Sequence, residues 1–340
     1  MIIILVIVGI SALILVHELG HFLVAKFFDI KVEEFGFGFP PRLFFKKIGE
    51  TIYSFNLLPF GGFVRLLGES PEASVPASEE RRSFSVQPAW KRMAVILAGV
   101  VMNFLLGWLI ISAVFMIGAP KAIIITDVQA ASPAAAAQLE IGDQIIGFST
   151  TDEFVAYVQE HKGEEIAVQI RHNGTTNTVG MTPRVNPPTG QGALGLAFTE
   201  AGLERRPVLQ SLGHGFLTSI FIVQTIAVGL YQLLATLVTQ GHLMAGFVGP
   251  VGIFGVANQS ASLGLAYLLQ LIGLISLNLF LLNALPFPAL DGGRFLFILI
   301  EKIKGKPLSP QLERSANALG FVVLLLLMIA ITVRDVVKLF

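Results

Sequence analysis

The chain has 340 residues, of which 54% are hydrophobic and 14% charged; soluble domains carry about 25% charged residues, so this composition points to a membrane protein. The formal net charge is zero and no long block of one sign occurs, so the sequence offers no basic surface for nucleic acid. There is no cysteine, which excludes disulfides and thiolate metal sites and leaves His, Asp and Glu to hold any catalytic metal.

A membrane-spanning helix takes about 20 apolar residues. The first such stretch, 2–28, is too long for a signal peptide, lacks a basic leader, and contains His17, Glu18 and His21, so residues 1–28 read as a transmembrane helix. Residues 29–87 follow as a membrane-associated β-region and linker. Within them, 31–68 is rich in aromatics, glycine pairs and alternation, which predicts β-hairpins touching lipid or the helix bundle. The remainder, 69–87, is rich in Ser, Pro and Glu. Pro88 opens a second transmembrane helix, 88–118, with Trp90, Lys91 and Arg92 at the membrane interface.

Residues 119–200 read as a soluble α+β domain. A-I-I-I-T-D-V and E-I-A-V-Q-I-R predict strands, S-P-A-A-A-A-Q-L a short Ser-capped helix, and 152–161 a second helix. Two short helices among strands, together with S-P-A-A-A-A-Q-L-E-I-G-D-Q-I-I, resemble a PDZ domain. The turn between Phe148 and Asp152 is short, which counts against a standard peptide groove and favours a domain that excludes bulky partners over one that recruits them. The next part, 201–262, holds the apolar stretch 208–238, dotted with Gln210, His214, Gln224 and Gln232. A third transmembrane helix and a cytoplasmic segment occupy 263–314, and a fourth helix 315–340.

Basic residues set the orientation. Lys26, Lys31, Arg42, Lys46, Lys47, Arg65, Arg81, Arg82, Lys91 and Arg92 place the first inter-span loop in the cytoplasm; Arg294, Lys302, Lys304, Lys306 and Arg314 do the same for the last. Both are cytoplasmic only if 208–238 does not cross. It is therefore expected to be interfacial or re-entrant, leaving about four transmembrane helices and an extracytoplasmic soluble domain.

His17-Glu18-Leu19-Gly20-His21 is an HExxH motif inside the first span. Positions i and i+4 share a helix face, so both imidazoles can reach one zinc ion, with Glu18 placed to deprotonate a water. Charged groups within a membrane are costly, which argues against mere packing. A third ligand is needed. Asp291, in N-A-L-P-F-P-A-L-D-G-G-R at 283–294, supplies a carboxylate beside Pro286 and Pro288, which break a helix there; its alternative role is to cap the helix that follows. His21 precedes Lys26 and Asp291 precedes Arg294, so both sit toward the cytoplasmic side and can meet at one depth. His161 and His172 fall in polar segments and read as solvated, and His214 and His242 lack the paired spacing of a zinc site.

These motifs resemble those of bacterial site-2 proteases, the RseP-like branch of intramembrane zinc metalloproteases. H-E-L-G-H at 17–21 is similar to the family's HExxH and 283–293 to its NxxPxPxLDGG. G-V-V-M-N at 99–103 is similar to its GxxxN, with Val100 where proline is frequent. G-P-V-G-I at 249–253 is typical of it, and 49–69 resembles its membrane β-region. The resemblance implies Zn2+ held by His17, His21 and Asp291, and Glu18 as acid/base. It also implies cleavage of single-span membrane proteins, such as anti-sigma factors or remnant signal peptides, after trimming by another protease at the bacterial cytoplasmic membrane. Asn278 and Asn283 are similar to family asparagines near the site. Each either bonds the substrate backbone or oxyanion, or joins helices. The strands from 51 to 67 are expected to hold substrate extended by β-augmentation, with Phe55 and Asn56 in contact with it.

Overall fold

The computed structural model describes residues 2–69, 75–172, 174–241 and 249–337; His242 lies outside the described residues. The chain forms two compact units, one of residues 1–111, 215–257 and 270–340, the other of 112–214 and 258–269. In chain order the elements are α1 (Ile2–Phe27), β1 (Val32–Ile48), β2 (Thr51–Leu66), a single 3-10 turn (Glu80–Arg82), α2 (Ala89–Ile117), β3 (Ala119–Val128), α3 (Pro133–Ala136), β4 (Gln144–Ile146), α4 (Thr151–Glu160), β5 (Ile166–His172), β6 (Thr175–Met181), β7 (Leu196–Leu203), α5 (Val208–Gln240), α6 (Pro250–Leu263), α7 (Leu265–Ala284), α8 (Asp291–Lys304) and α9 (Pro310–Val337).

Among the described residues five helices, in α1, α2, α5, α7 and α9, have the length and apolarity to cross a membrane. Of these, α5 is a continuous 33-residue helix over the stretch expected to be interfacial or re-entrant. The expected connecting loop before 262 contains a further helix, α6, and α8, the helix expected to follow the proline break, begins at Asp291 within the LDGG motif. In the first unit α1 and α2 approach closely at Gly20, where a Cβ would lie 2.5 Å from the Ala98 carbonyl oxygen. Small residues at such crossings let backbones meet where lipid gives no hydrophobic driving force.

The hairpin region is more folded than two strands. Each of β1 and β2 doubles back, at Pro40–Pro41 and at Pro59–Phe60, giving limbs 32–39, 42–48, 51–58 and 61–66. Limb 51–58 pairs with 42–48 (Phe44 with Phe55, Lys46 with Tyr53) and also with 32–39, in step along the chain (Phe35 with Tyr53, Phe37 with Phe55). Limb 32–39 pairs on its other side with 61–66 (Phe35 with Val64, Phe37 with Gly62). The order across the sheet is thus 42–48, 51–58, 32–39, 61–66, and the outer limbs are 42–48 and 61–66. Buried Glu34 receives Arg42 and Ser54 at 2.7 and 2.6 Å. Beyond it Phe39, Phe44, Phe45 and Leu58 are exposed. The part of 69–87 that is described is fastened down rather than free: Phe84 is buried, and Arg82 pairs with Asp29 and Glu50.

The second unit contains a five-stranded antiparallel sheet of order β6-β5-β4-β3-β7. Alternation in β5 buries Ile166, Val168 and Ile170 against Phe154 and Val158 of α4. Ser132 caps α3 and Thr150 caps α4, each accepting a backbone N–H of the first turn. The strands run past the expected limits, from Ala119 to Leu203, and these two residues pair. His172 is not simply solvated: its Nδ1 lies 2.6 Å from Asp143 Oδ1. His161 Nδ1 donates to the Tyr157 carbonyl at 2.9 Å and its ring packs on that of Tyr157.

Candidate metal centre

All parts of this site belong to the first unit. His17 and His21 lie one turn apart on α1, and their rings meet edge to face. The Asp291 carboxylate arrives from the first residue of α8, which the loop from 285 to 290 turns back toward α1. That turn depends on the two glycines after Asp291. A Cβ on Gly292 would lie 2.2 Å from the Leu285 carbonyl oxygen, and one on Gly293 2.2 Å from that of Phe287. Only residues without side chains let the loop fold over the first turn of α8 in this way. Asn317 of α9 also receives the Ala289 N–H at 3.0 Å, pinning the loop from its far side. Leu290, not Asp291, occupies the cap position of α8, and no side chain caps it, so Asp291 does not serve as the helix cap.

His17 Nε2 lies 3.0 Å and His21 Nε2 3.3 Å from Asp291 Oδ2, and the two nitrogens are 3.2 Å apart. Tetrahedral zinc with bonds of about 2.0–2.1 Å sets its ligand atoms about 3.3 Å apart. Asp291 Oδ2 is buried with no hydrogen-bond partner satisfying it. Three lone-pair atoms at this spacing repel one another unless a cation or protons lie among them. His21 Nδ1 lies 2.8 Å from the Val95 carbonyl oxygen. A carbonyl can only accept, so Nδ1 carries the proton and Nε2 keeps its lone pair free for a metal. The donor set, its spacing and its tautomer all fit zinc.

The three residues, together with Glu18, line a cavity of about 210 Å³ whose other walls include Phe63, Val64, Glu69 and Arg294. Gly62 stands beside Glu18: a Cβ there would be 3.2 Å from Glu18 Cγ. Limb 61–66, an outer strand of the sheet, therefore runs along this cavity. Phe55 and Asn56 do not. They sit on limb 51–58, which is paired on both sides, with Asn56 buried and donating to the Gly38 carbonyl at 3.0 Å. Asn278 is exposed on α7 and Asn283 half-buried near its end, and neither lines the cavity. The sequence reading did not pick out Glu69 and Arg294, which pair across the cavity wall. An acid just past a β-run and a base three residues after Asp291 are the only local signals, and neither reveals a pairing across 225 positions.

Peptidase family M50 matches residues 5–327 of the chain. A Clostridium perfringens protein described as a zinc metalloprotease is 35% identical over 343 residues, covering 99% of each chain. The zinc metalloprotease RasP of Geobacillus kaustophilus is 30% identical, with 98% of this chain and 97% of the relative aligned. The regulator of sigma-W protease RasP of Bacillus subtilis is 28% identical over 97% of both. The chain belongs to peptidase family M50 and is a zinc metalloprotease of the site-2 type, built on apolar helices of membrane-spanning length.

Proposed function

We propose that the enzyme hydrolyses peptide bonds in or beside the membrane-spanning segments of single-span membrane proteins, at the bacterial cytoplasmic membrane. The convergence of His17 Nε2, His21 Nε2 and Asp291 Oδ2 beside Glu18, on helices of membrane-spanning type, carries this reading. We assign the first three residues to zinc and Glu18 to proton transfer. When bound, zinc supplies a Lewis acid that polarises the scissile carbonyl and makes water easier to ionise. Glu18 takes a proton from the attacking water and returns it to the leaving amine, acting first as base and then as acid. Val95 keeps His21 in the required tautomer.

A membrane helix hides its amides, so the substrate must be drawn out before it is cut. Limb 61–66 offers an outer strand edge beside Glu18, on which an extended segment would add as a further strand. This relocates the expected clamp from Phe55 and Asn56 to Gly61–Leu66.

Four spans, with α5 at the interface and the soluble domain outside, agree with the distribution of basic residues. The soluble domain is PDZ-like in this reading. An apolar groove lies between α4 (Phe154, Val158) and the segment entering β7 (Leu194, Leu196, Phe198), and among the described residues β7 is paired only with β3. The short turn after Phe148 has not closed it, so recruitment of an extended peptide end is favoured over pure exclusion. Substrates of the anti-sigma-factor or remnant-signal-peptide type, already trimmed outside, suit such an arrangement.

The direct test is zinc content and cleavage of a single-span substrate by the purified enzyme. Glu18→Gln should keep zinc and lose cleavage by about 10²-fold or more. His17→Ala, His21→Ala and Asp291→Ala should lose both. A Glu18→Gln enzyme that cuts at the wild-type rate would refute the assignment.

A further inference from the structure

His21 has its tautomer dictated by a backbone carbonyl of α2, but His17 has no such carbonyl. Its Nδ1 lies 3.1 Å from the side-chain amide of Asn103, also on α2, at the atom placed as Nδ2. Asn103 is wholly buried, and the outer atom of its amide has no partner. Nothing except His17 therefore decides which way the amide faces. Oxygen and nitrogen of such an amide are assigned from their hydrogen-bond network rather than from shape. With the amino group toward the ring, as the amide is placed, Nδ1 accepts and the proton sits on Nε2, aimed at His21 Nε2 and Asp291 Oδ2. That ring could not bind a metal. If the oxygen faces the ring, Nδ1 donates and the Nε2 lone pair points into the site.

We infer that Asn103 is a positioning residue: its side-chain oxygen accepts the His17 Nδ1–H and holds His17 in the metal-binding tautomer. Val95, Gly99 and Asn103 succeed one another at four-residue steps on α2, facing α1. Val95 holds one imidazole and Asn103 the other. Gly99 between them leaves the room that the His21 ring fills, since a Cβ there would lie 2.3 Å from Nε2. Asn103 is itself anchored, because its backbone carbonyl receives the Ser276 hydroxyl of α7 at 2.8 Å. The spacing of Gly99 and Asn103 thereby acquires a physical meaning: space for one ligand and an acceptor for the other.

The inference rests on the metal-site reading above, and its test separates the two. Zinc affinity of the full-length protein is measured by competition with a chelator, and metal-free stability by thermal unfolding, for Asn103→Leu, Asn103→Asp and His17→Ala. Loss of an orienting partner typically costs 10–100-fold in metal affinity. Asn103→Leu, of similar size but without an acceptor, should weaken zinc by about that factor. Asn103→Asp keeps an acceptor oxygen and should bind within a few-fold of wild type. Wild-type affinity in Asn103→Leu, or equal weakening in both variants, overturns the inference. If Asn103→Leu does not fold, the Asp variant decides alone: retained affinity supports the inference and lost affinity overturns it. Wild-type affinity in His17→Ala would instead overturn the metal site itself.

Discussion

At the residue scale, the centre is shaped as much by missing side chains as by ligands. Gly292 is the clearest case, because its absent Cβ is what lets the Leu285 carbonyl approach within the first turn of α8. Gly292→Ala would put a Cβ 2.2 Å from that oxygen where ordinary contact begins near 3.4 Å, so it must push the loop or α8 and carry the Asp291 carboxylate off the imidazoles. Zinc content of the purified variant should fall markedly although no ligand has changed, while the helical circular dichroism stays near wild type. An unaltered zinc content would show that the loop yields without moving Asp291. Gly305, by contrast, ends α8 in the left-handed conformation with open space around it, and an alanine there should cost only local strain.

At the scale of elements, the hairpin sheet places an outer strand beside Glu18. Along such a strand, successive N–H groups point alternately into the sheet and outward. Proline at Phe63 and proline at Val64 should therefore differ. One removes a ladder bond to limb 32–39 and disturbs the sheet; the other removes only an outward donor. The second should keep its zinc and lose most of its cleavage of a membrane substrate, and equal, full turnover in both variants would count against an edge clamp. The base of the sheet is tied to α1 by Glu50, which bridges Arg82 and Lys26. The Arg82 guanidinium, and then Lys26, hold Glu50 down to about 2. A depressed carboxylate contributes stability above its unfolded value near 4.5, and that contribution is lost as pH falls toward 2. Glu50→Gln should thus unfold at a lower temperature than wild type at pH 7, by the modest amount typical of a part-exposed network, and the gap should narrow steadily below pH 4.5. A gap independent of pH would assign the effect to packing.

At the scale of the whole molecule, orientation and the soluble domain are the open choices, and both can be tested cleanly. The chain has no cysteine, so single cysteines report without background. A cysteine at Gly174 should react with an impermeant reagent in intact cells, and one at Lys306 should react only after lysis. Labelling of the second from outside would mean that α5 crosses the membrane. The soluble domain begins and ends on paired strands, Ala119 opposite Leu203, so its two chain ends leave side by side and a short linker can close the gap. Replacing 120–202 by such a linker should lower cleavage of a trimmed substrate at limiting concentration and restore it at saturation, as loss of a recruiting groove predicts. If the deletion instead leaves trimmed substrates untouched and admits untrimmed ones, the domain works by exclusion.

Much of this protein was legible in the sequence, because the membrane makes polar residues expensive. His17, Glu18, His21 and Asp291 stand out against apolar surroundings, and their i, i+4 spacing and proline-broken context point to one metal chemistry. Apolar runs and caps likewise mark α1, α2, α7, α3 and α4, since each depends on residues near one another in the chain. Tertiary structure decided what depends on distant partners. The double folding of β1 and β2 turned 51–58 into an inner limb and 61–66 into the edge beside Glu18, and alternation within a strand does not say which neighbours it will pair with. Asn103 reads as a polar residue in a span, and only the approach of α2 to α1 puts its amide on His17 Nδ1. Glu69 and Arg294 are ordinary charges until folding brings them together across one cavity. Local chemistry is written in short spacings, whereas pairing across hundreds of residues is chosen by packing.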